Sequence, residues 1–334
     1  MRRLVLAPLG ALTGVAAGVR AEAYRRGWLS RSRLAGPVIS VGNISVGGRG
    51  KTPVVARVAE MLGEDGHPTA VLSRGYGGSF GGDCLVVGDG RRVCAGADEA
   101  GDEPVMLARR LPGVVVAVGK RRDRVGRAVE GRFGTRVHVL DDGFQHMRLR
   151  RDLDLVCVHA SDLADRPLPA GRLRESPSAL GRADLILLDG DGAAAAALAA
   201  RYPGRVLRLG RQVVGFFGLD GRERPTPERP FLVSGIARPQ RFHADVAARV
   251  ASVAGTAVFA DHHVYGPEEL ARIEGRARAA GSDVLVTTDK DAVRLPPSSL
   301  PVLVLRIAAA LPAEDEARLR DRVRLVAGGL GGAA

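Results

Sequence analysis

Aromatic side chains are scarce in this sequence, at 4% of 334 residues with a single tryptophan. Little surface is therefore on offer for base stacking. No nucleic-acid reading motif accompanies the basic residues, so nucleic acid is excluded as the expected partner. Cysteine is also rare: Cys84, Cys94 and Cys157 form no CxxC pair and leave an odd one over. That excludes a disulfide framework or zinc ribbon and fits a reducing compartment, with Cys84 and Cys94 either facing across a hairpin or buried as thiols. Long apolar runs are missing too. The longest candidate, Leu4 to Val19, is diluted by Pro8, Gly10, Gly14 and Gly18 and is short for a membrane span. Acidic residues are outnumbered, 37 against 49 basic, for a net charge of +12. Such a balance favours an anionic partner, either a phosphorylated substrate or an anionic membrane face, beside the ordinary alternative of a solvated basic surface.

What is present is a regular alternation. The segments PVISVGN, TAVLSR, GVVVAVG, RVHVLDD, LDLVCVH and ADLILLD are near-continuous apolar runs, as parallel strands covered on both faces require. Helical patterns fit between them at about 51–65, 102–111 and 120–131, which gives a doubly wound, mainly parallel α/β sheet. Asp89-Gly90 inside "DCLVVGDGRRVC" is a hairpin signal. Proline, glycine and charge concentrate near 212–230, which reads as a linker. Beyond it PFLVSGIA, TAVFADHH, SDVLVTTD and PVLVLRI alternate with helical patterns at about 238–253, 266–280 and 312–326, a second, smaller α/β unit. The expected organisation is an N-terminal helix over 1–30, a core domain over 31–211, the linker, and a C-terminal unit over 231–327 followed by a loose tail.

In the first segment Leu9, Leu12, Val15 and Val19 recur at helical spacing, with Tyr24 and Trp28 beyond them and Arg20, Arg25 and Arg26 alongside. This is the pattern of an amphipathic helix lying in a membrane interface, with each arginine contributing about 1 kcal/mol against anionic lipid. A helix packed on the domain and a cleaved secretory signal are its alternatives.

The densest chemical signal is "NISVGGRGKTPVV". It lies between an apolar strand and an amphipathic helix and approaches the phosphate-loop pattern G-x-x-x-x-G-K-[ST], with Ser45 where the first glycine is usual. Backbone N–H groups at a strand-to-helix turn favour phosphate. Ser45, Val46, Gly47, Gly48, Arg49 and Gly50 would wrap ATP. Lys51 would reach its terminal phosphates, and Thr52 would ligate Mg2+. "RVHVLDDGFQH" ends another strand in two carboxylates, Asp141 and Asp142, the usual means of holding Mg2+ beside such a loop; alone, Asp-Asp-Gly would be only a turn.

Seven segments, "SVGNISVGGRGKTP", "LSRGYGG", "GDEPVMLARR", "VLDDGFQH", "LPAGRLRE", "FADHHVY" and "VTTDKDAV", occur in this order. Together they resemble the tetraacyldisaccharide 4'-kinases over nearly the whole chain, including the non-glycine at position 45. The resemblance implies a phosphate-loop NTPase-like core and ATP-dependent phosphorylation of the 4'-hydroxyl of tetraacyldisaccharide 1-phosphate. It places a monomer peripherally or monotopically at the cytoplasmic face of the inner membrane. It implies Asp102 as general base, although on sequence alone Asp102 equally caps a helix. His262 would be its partner across the gap between domains, and Glu175 would stand near the magnesium. His146 and Gln145 would brace the Asp141–Asp142 turn, with His146 reaching the nucleotide. Arg74, Tyr76, Arg121, Arg172 and Arg174 are candidate substrate contacts, and Arg122, Arg124 and Arg127 run along the same helix as Arg121. His262 and His263 are neighbours on an extended chain and should point apart. Residues 287–292 receive no chemistry. The alternatives are another phosphate-loop enzyme and a nucleotide-switched membrane adaptor ATPase.

Overall fold

The computed structural model describes residues 7–329; the basic start at Arg2 and Arg3 and the end of the glycine-rich tail lie outside them. Strands β1 (Val38–Asn43), β2 (Thr69–Ser73), β3 (Leu85–Asp89), β4 (Val115–Val118), β5 (Val137–Asp141), β6 (Leu153–His159), β7 (Leu185–Asp189) and β8 (Val206–Arg208) form one sheet in the order β3-β4-β2-β5-β1-β6-β7-β8. All neighbours are parallel except the β3–β4 pair at the edge. Every residue of β1, β2 and β5 is buried, which is why their sequences are apolar without alternation. Helices α2 (Lys51–Glu64), α4 (Asp102–Arg110, just after the one-turn α3, Ala97–Ala100) and α5 (Arg122–Phe133) cover it, within two residues of their predicted bounds. The expected doubly wound class is the one observed. At its centre β1 pairs with β5 in the register Val41 to Asp141, which sets the ends of both strands side by side.

A second sheet has the order β10-β9-β14-β13-β11-β12, built from β9 (Gly210–Gly218), β10 (Glu223–Arg224), β11 (Phe231–Ser234), β12 (Gly255–Val258), β13 (Leu285–Thr288) and β14 (Val302–Ala310). The helix after the edge-strand connection, α6 (Ala193–Arg201), belongs to the first sheet. Helices α7 (Pro239–Ala247), α8 (Pro267–Ala279) and the short α9 (Asp289–Ala292) belong to the second.

Two expected boundaries move. Residues 212–230 are largely not a linker, because β9 runs antiparallel along the whole of β14, from Gly210 opposite Ala310 to Gly218 opposite Leu303, and turns back into β10. On its other side only Phe216 and Phe217 are paired, with β10, and the largely open flank tolerates the glycines and charges that disguised it. The last helix, α10 (Ala313–Gly328), leaves the second unit altogether: Leu319, Val323 and Ala327 are buried in one core with Ile39, Val55 and Leu62 of the first sheet. Ion pairs Arg57–Glu316 (2.5 Å), Arg320–Glu64 (2.7 Å) and Arg324–Asp65 (2.8 Å) fasten α10 along α2.

The Asp89-Gly90 turn forms, with the Asp89 carboxylate accepting from the Arg91 and Arg92 amides. Its register pairs Gly88 with Val93 and brings Cys94 to Val87. Cys84 is three residues further along, so the two cysteines do not face each other; Cys84 is half-buried and Cys94 exposed.

Helix α1 (Ala7–Arg25) seats one face on residues 167–170. Gly10 and Gly14 lie against Pro167, and the Thr13 hydroxyl donates to the Leu168 carbonyl. Its other face leaves Leu9, Leu12, Val15 and Val19 between 54% and 66% exposed. No helix among the described residues is long and apolar enough to cross a membrane.

Because α10 completes the first core, Leu319→Ala should lower stability by ~2–5 kcal/mol. Leu325→Ala on the exposed face of the same helix should stay within ~0.5 kcal/mol. Chemical denaturation of the two variants checks the difference.

Candidate active site

The loop after β1 turns sharply into α2. Gly47 and Gly50 take φ of 100° and 73°, a left-handed conformation that suits glycine, and Lys51 opens the helix. The loop leans on a buried carboxylate. Asp162, fully buried, accepts from the Ser45 hydroxyl at 3.0 Å and from the His159 amide at 3.3 Å, and it pairs with the Arg49 guanidinium. Ser45 is thus a brace, where a glycine would leave Asp162 short of a donor. The Arg49 side chain points to Asp162, so only the backbone at this position remains for a phosphate. The Val46 amide is likewise taken, by the Arg172 carbonyl at 2.8 Å. Residues 47–53 form one wall of a cleft of about 430 Å³ whose other wall carries Ile236, Phe242, Leu305 and Ile307 of the second unit.

Asp141 and Asp142 lie beside Lys51, as the strand order requires. The Lys51 ammonium is 3.4 Å from Asp142, whose other oxygen accepts from Arg174 at 2.7 Å. Burial, with Glu103 and Asp142 nearby, pushes the Asp141 carboxyl up to about 7 in spite of Lys51 and a 3.0 Å hydrogen bond from Ser73. Burial acts to raise Asp142 as well, but Lys51 and Arg174 outweigh it and hold that carboxyl below its usual range. Asp141 keeps one buried oxygen, Oδ1, without a hydrogen-bond donor, while Asp142 Oδ1 faces only the Lys51 ammonium at 3.4 Å. A carboxylate oxygen left open beside a phosphate loop suits a hard, oxygen-seeking cation. Among the described residues, no three His, Cys, Asp or Glu side chains converge to hold a metal by themselves, and a cation that also takes phosphate oxygens needs no such cage. Asp142 holds φ of +55° and His262 +64°; they are the non-glycine residues with positive φ among those described. Strain of this kind gathers at functional sites.

Glu175, expected near a metal, is engaged elsewhere. It is buried and accepts from Gln145 at 2.9 Å and from Arg182 at 2.8 Å, while Gln145 also donates to the Asn43 carbonyl. In this arrangement Glu175 steadies the end of β1. His146 does not line the cleft. Burial, together with Arg122, pushes its imidazole down to about 3, and its Nε2 has no partner. The reason is geometric: the backbone turns after Asp142, with His146 N–H donating to the Gly143 carbonyl, and carries the ring away from the loop.

Asp102 starts α4 and is 2% exposed. Its Oδ2 lies 3.0 Å from His262 Nδ1, and its Oδ1 pairs with Arg294 Nε. No side-chain cap bond holds the helix start, so the capping alternative for Asp102 does not describe it. His263 points the other way, to Glu269 at 2.6 Å and stacked on Phe259; the two histidines do part as expected. Arg74 and Tyr76 are exposed on the loop after β2, which packs on residues 98–101 through the Ser79 and Phe80 amides. A Cβ at Gly101 would collide with the Tyr76 carbonyl, so the absence of a side chain there lets this loop close on Asp102.

The arginines divide. Arg121 is spent on Asp123 (2.8 Å), Arg172 on Asp165 (3.0 Å) and Arg174 on Asp142. Arg122, not Arg121, is the buried one, 6% exposed with Nε unpartnered; burial and Arg74 push it down to about 10. Glu103, Asp162, Lys290 and Arg294 escaped sequence reasoning, and Arg122 was named only as one of several arginines on its helix. Lys290 stood in a segment already marked as a motif, whereas nothing in the sequence separates Arg122 from its neighbours.

The profile described as Tetraacyldisaccharide-1-P 4'-kinase matches residues 2–324. This chain belongs to that family. A tetraacyldisaccharide 4'-kinase of Geobacter metallireducens is 44% identical over 306 residues, covering 88% of this chain and 90% of the relative. One from Anaeromyxobacter dehalogenans is 41% identical over 322 residues, covering 87% and 84%. A crystal structure described as the "apo" form of LpxK from Aquifex aeolicus in complex with ATP superposes with a TM-score of 0.81 at 30% identity, covering 98% of this chain and all of that one.

Asp162→Ala leaves Arg49 buried without its partner and should destabilise the protein by ~3–5 kcal/mol. Ser45→Gly should cost about 1–3 kcal/mol. Thermal and denaturant melts of the two variants check the order.

Proposed function

We propose that the protein transfers the γ-phosphoryl group of ATP to the 4'-hydroxyl of tetraacyldisaccharide 1-phosphate, giving the bis-phosphorylated lipid A precursor. The observation that carries the chemistry is a nearly sealed carboxylate, Asp102, held by His262 and Arg294 and followed directly by Glu103, which lines the cleft walled by the phosphate loop. Family membership supports the substrate.

The amides of residues 47–52 and Lys51 hold the nucleotide's phosphates, and the apolar wall of Ile236, Phe242 and Ile307 takes its base and sugar. Thr52, Asp141 and Asp142 are the residues that would hold Mg2+, which when bound neutralises charge on the phosphates. The unpartnered Asp141 Oδ1 supports this, and Glu175 contributes by fixing the strand end behind them. Asp102 accepts the proton of the attacking hydroxyl. Each of its oxygens has one lone pair committed, to His262 and to Arg294, and one left over. Fixing the carboxylate in this way orients it before the hydroxyl arrives, which is how general-base assistance reaches ~10²–10⁴ in rate. Arg122, buried and incompletely paired beside Arg74, is suited to an anionic group of the acceptor.

Helix α1 serves the same substrate from the membrane side. Its exposed row of Leu9, Leu12, Val15 and Val19 continues into Trp28, 69% exposed, with Arg26 over the indole at 5.2 Å and Arg20 over Tyr24 at 5.8 Å. Apolar face and cationic flank together support peripheral seating on an anionic leaflet, which is the cytoplasmic face of the inner membrane.

Purified protein with radiolabelled ATP and the disaccharide 1-phosphate lipid in detergent should label the lipid, and Lys51→Ala should not. Asp102→Ala should lower kcat by ~10²–10⁴ while ATP affinity changes little; an unchanged kcat would remove Asp102 from the reaction. Leu12→Glu with Val15→Glu should abolish flotation with anionic vesicles yet leave detergent activity near wild type.

A further inference from the structure

The contacts around His262 extend past Asp102. The Lys290 ammonium, in the short α9 that follows β13, is 3.0 Å from His262 Nε2 and 2.7 Å from Asp261 Oδ1. Lys290 also lines the cleft shared with Lys51 and Thr52. An ammonium carries only donors, so the imidazole nitrogen facing it has to be an acceptor. With a lone pair on Nε2, the neutral ring carries its hydrogen on Nδ1, the nitrogen 3.0 Å from Asp102 Oδ2. A second donor complicates this. Arg294 Nη2 lies 3.3 Å from the same Nδ1. If Nδ1 accepted from Arg294, however, its lone pair would face the Asp102 oxygen at the shorter distance, which is repulsive. Arg294 is satisfied without it, through Asp102 Oδ1 and the carbonyls of His262 and His263.

We propose that Lys290 is a positioning residue that fixes the Nδ1–H tautomer of His262, and through that ring holds Asp102 in its reacting orientation. Asp261 keeps the ammonium in place, and the left-handed backbone at His262 turns the ring between the two. Proton position decides whether His262 supports Asp102 or repels it, since a ring with its hydrogen on Nε2 would turn a lone pair toward Asp102 and an N–H toward the Lys290 ammonium: Asp102 would lose a donor and Lys290 an acceptor. The inference rests on the reading of Asp102 as base, but the tautomer can be observed independently of any turnover.

The test is ¹⁵N-histidine NMR of the full chain, with steady-state kinetics, on wild type, Lys290→Met and Lys290→Arg. In wild type the His262 signals should show a protonated Nδ1 and a bare Nε2. Lys290→Met should lose that single tautomer and lower kcat by ~10–100-fold, as losing an orienting partner does. KM for ATP should move less than ~3-fold. Lys290→Arg, which keeps a donor, should restore the tautomer and most of kcat. A raised KM for ATP at unchanged kcat would make Lys290 a phosphate contact and overturn the proposal. So would an unaltered His262 tautomer in Lys290→Met, whatever the rate. A failed Asp102 reading would show separately, as full activity in Asp102→Ala with the His262 signals in the wild-type pattern.

Discussion

A carboxylate that is almost sealed from water cannot remain charged without donors close at hand. Asp102 belongs by sequence and packing to the first unit, yet its donors, His262 and Arg294, come from the second. Neither half can leave the other without stranding this group. The seating of the two sheets against each other is what brings these donors to the buried side chain. The loop itself obeys the same rule, since Asp162 lies fully buried and is answered by Ser45, Arg49 and a backbone amide.

The charge arrangement is uneven in a useful way. Asp142 is held ionised by Lys51 and Arg174, while Asp141, one residue earlier, is buried enough to share its charge state with its surroundings. Neighbouring carboxylates with opposed tendencies can receive a cation without accumulating repulsion before it arrives. Most of the chain's arginine excess is committed to local ion pairs. Arg122 and Arg74 lie close together without an ion pair of their own among the described residues, whereas Arg25 and Arg26 at the end of α1 are paired with Glu22.

Much of this was legible in the sequence because burial on both faces writes itself as unbroken valine and leucine. β1, β2, β4, β5, β6 and β7 could all be read that way, and the loop and the Asp141–Asp142 pair followed from chemistry at strand ends. What was not legible depended on which way a side chain turns or which unit a helix joins. β9 lies one strand in from the edge and for most of its length alternates only between exposed and half-buried positions, with glycines and charges among them, so its sequence carries no apolar run. Arg121 and Arg122 are adjacent, but a helix separates them by about 100°, so one faces an acid outside and the other the interior. Glu175 was in the right motif but took a bracing position, and His146, expected to reach the nucleotide, turns its ring away from the loop. Lys290 lies 28 residues from the ring it touches, and the parallel pairing of β11 with both β12 and β13 brings the two segments together.

The return of α10 to the first core has an implication for dissection of the molecule. The chain passes from the first unit to the second at β8–β9 and comes back at β14–α10. The nucleotide-binding half is therefore discontinuous, assembled from two segments with the other half inserted between them. A fragment ending near residue 211 would expose the apolar groove that Leu319, Val323 and Ala327 fill. The second unit is tethered at both ends, so any opening of the cleft has to be a hinge about those two crossings. It cannot swing freely on a single strand of chain.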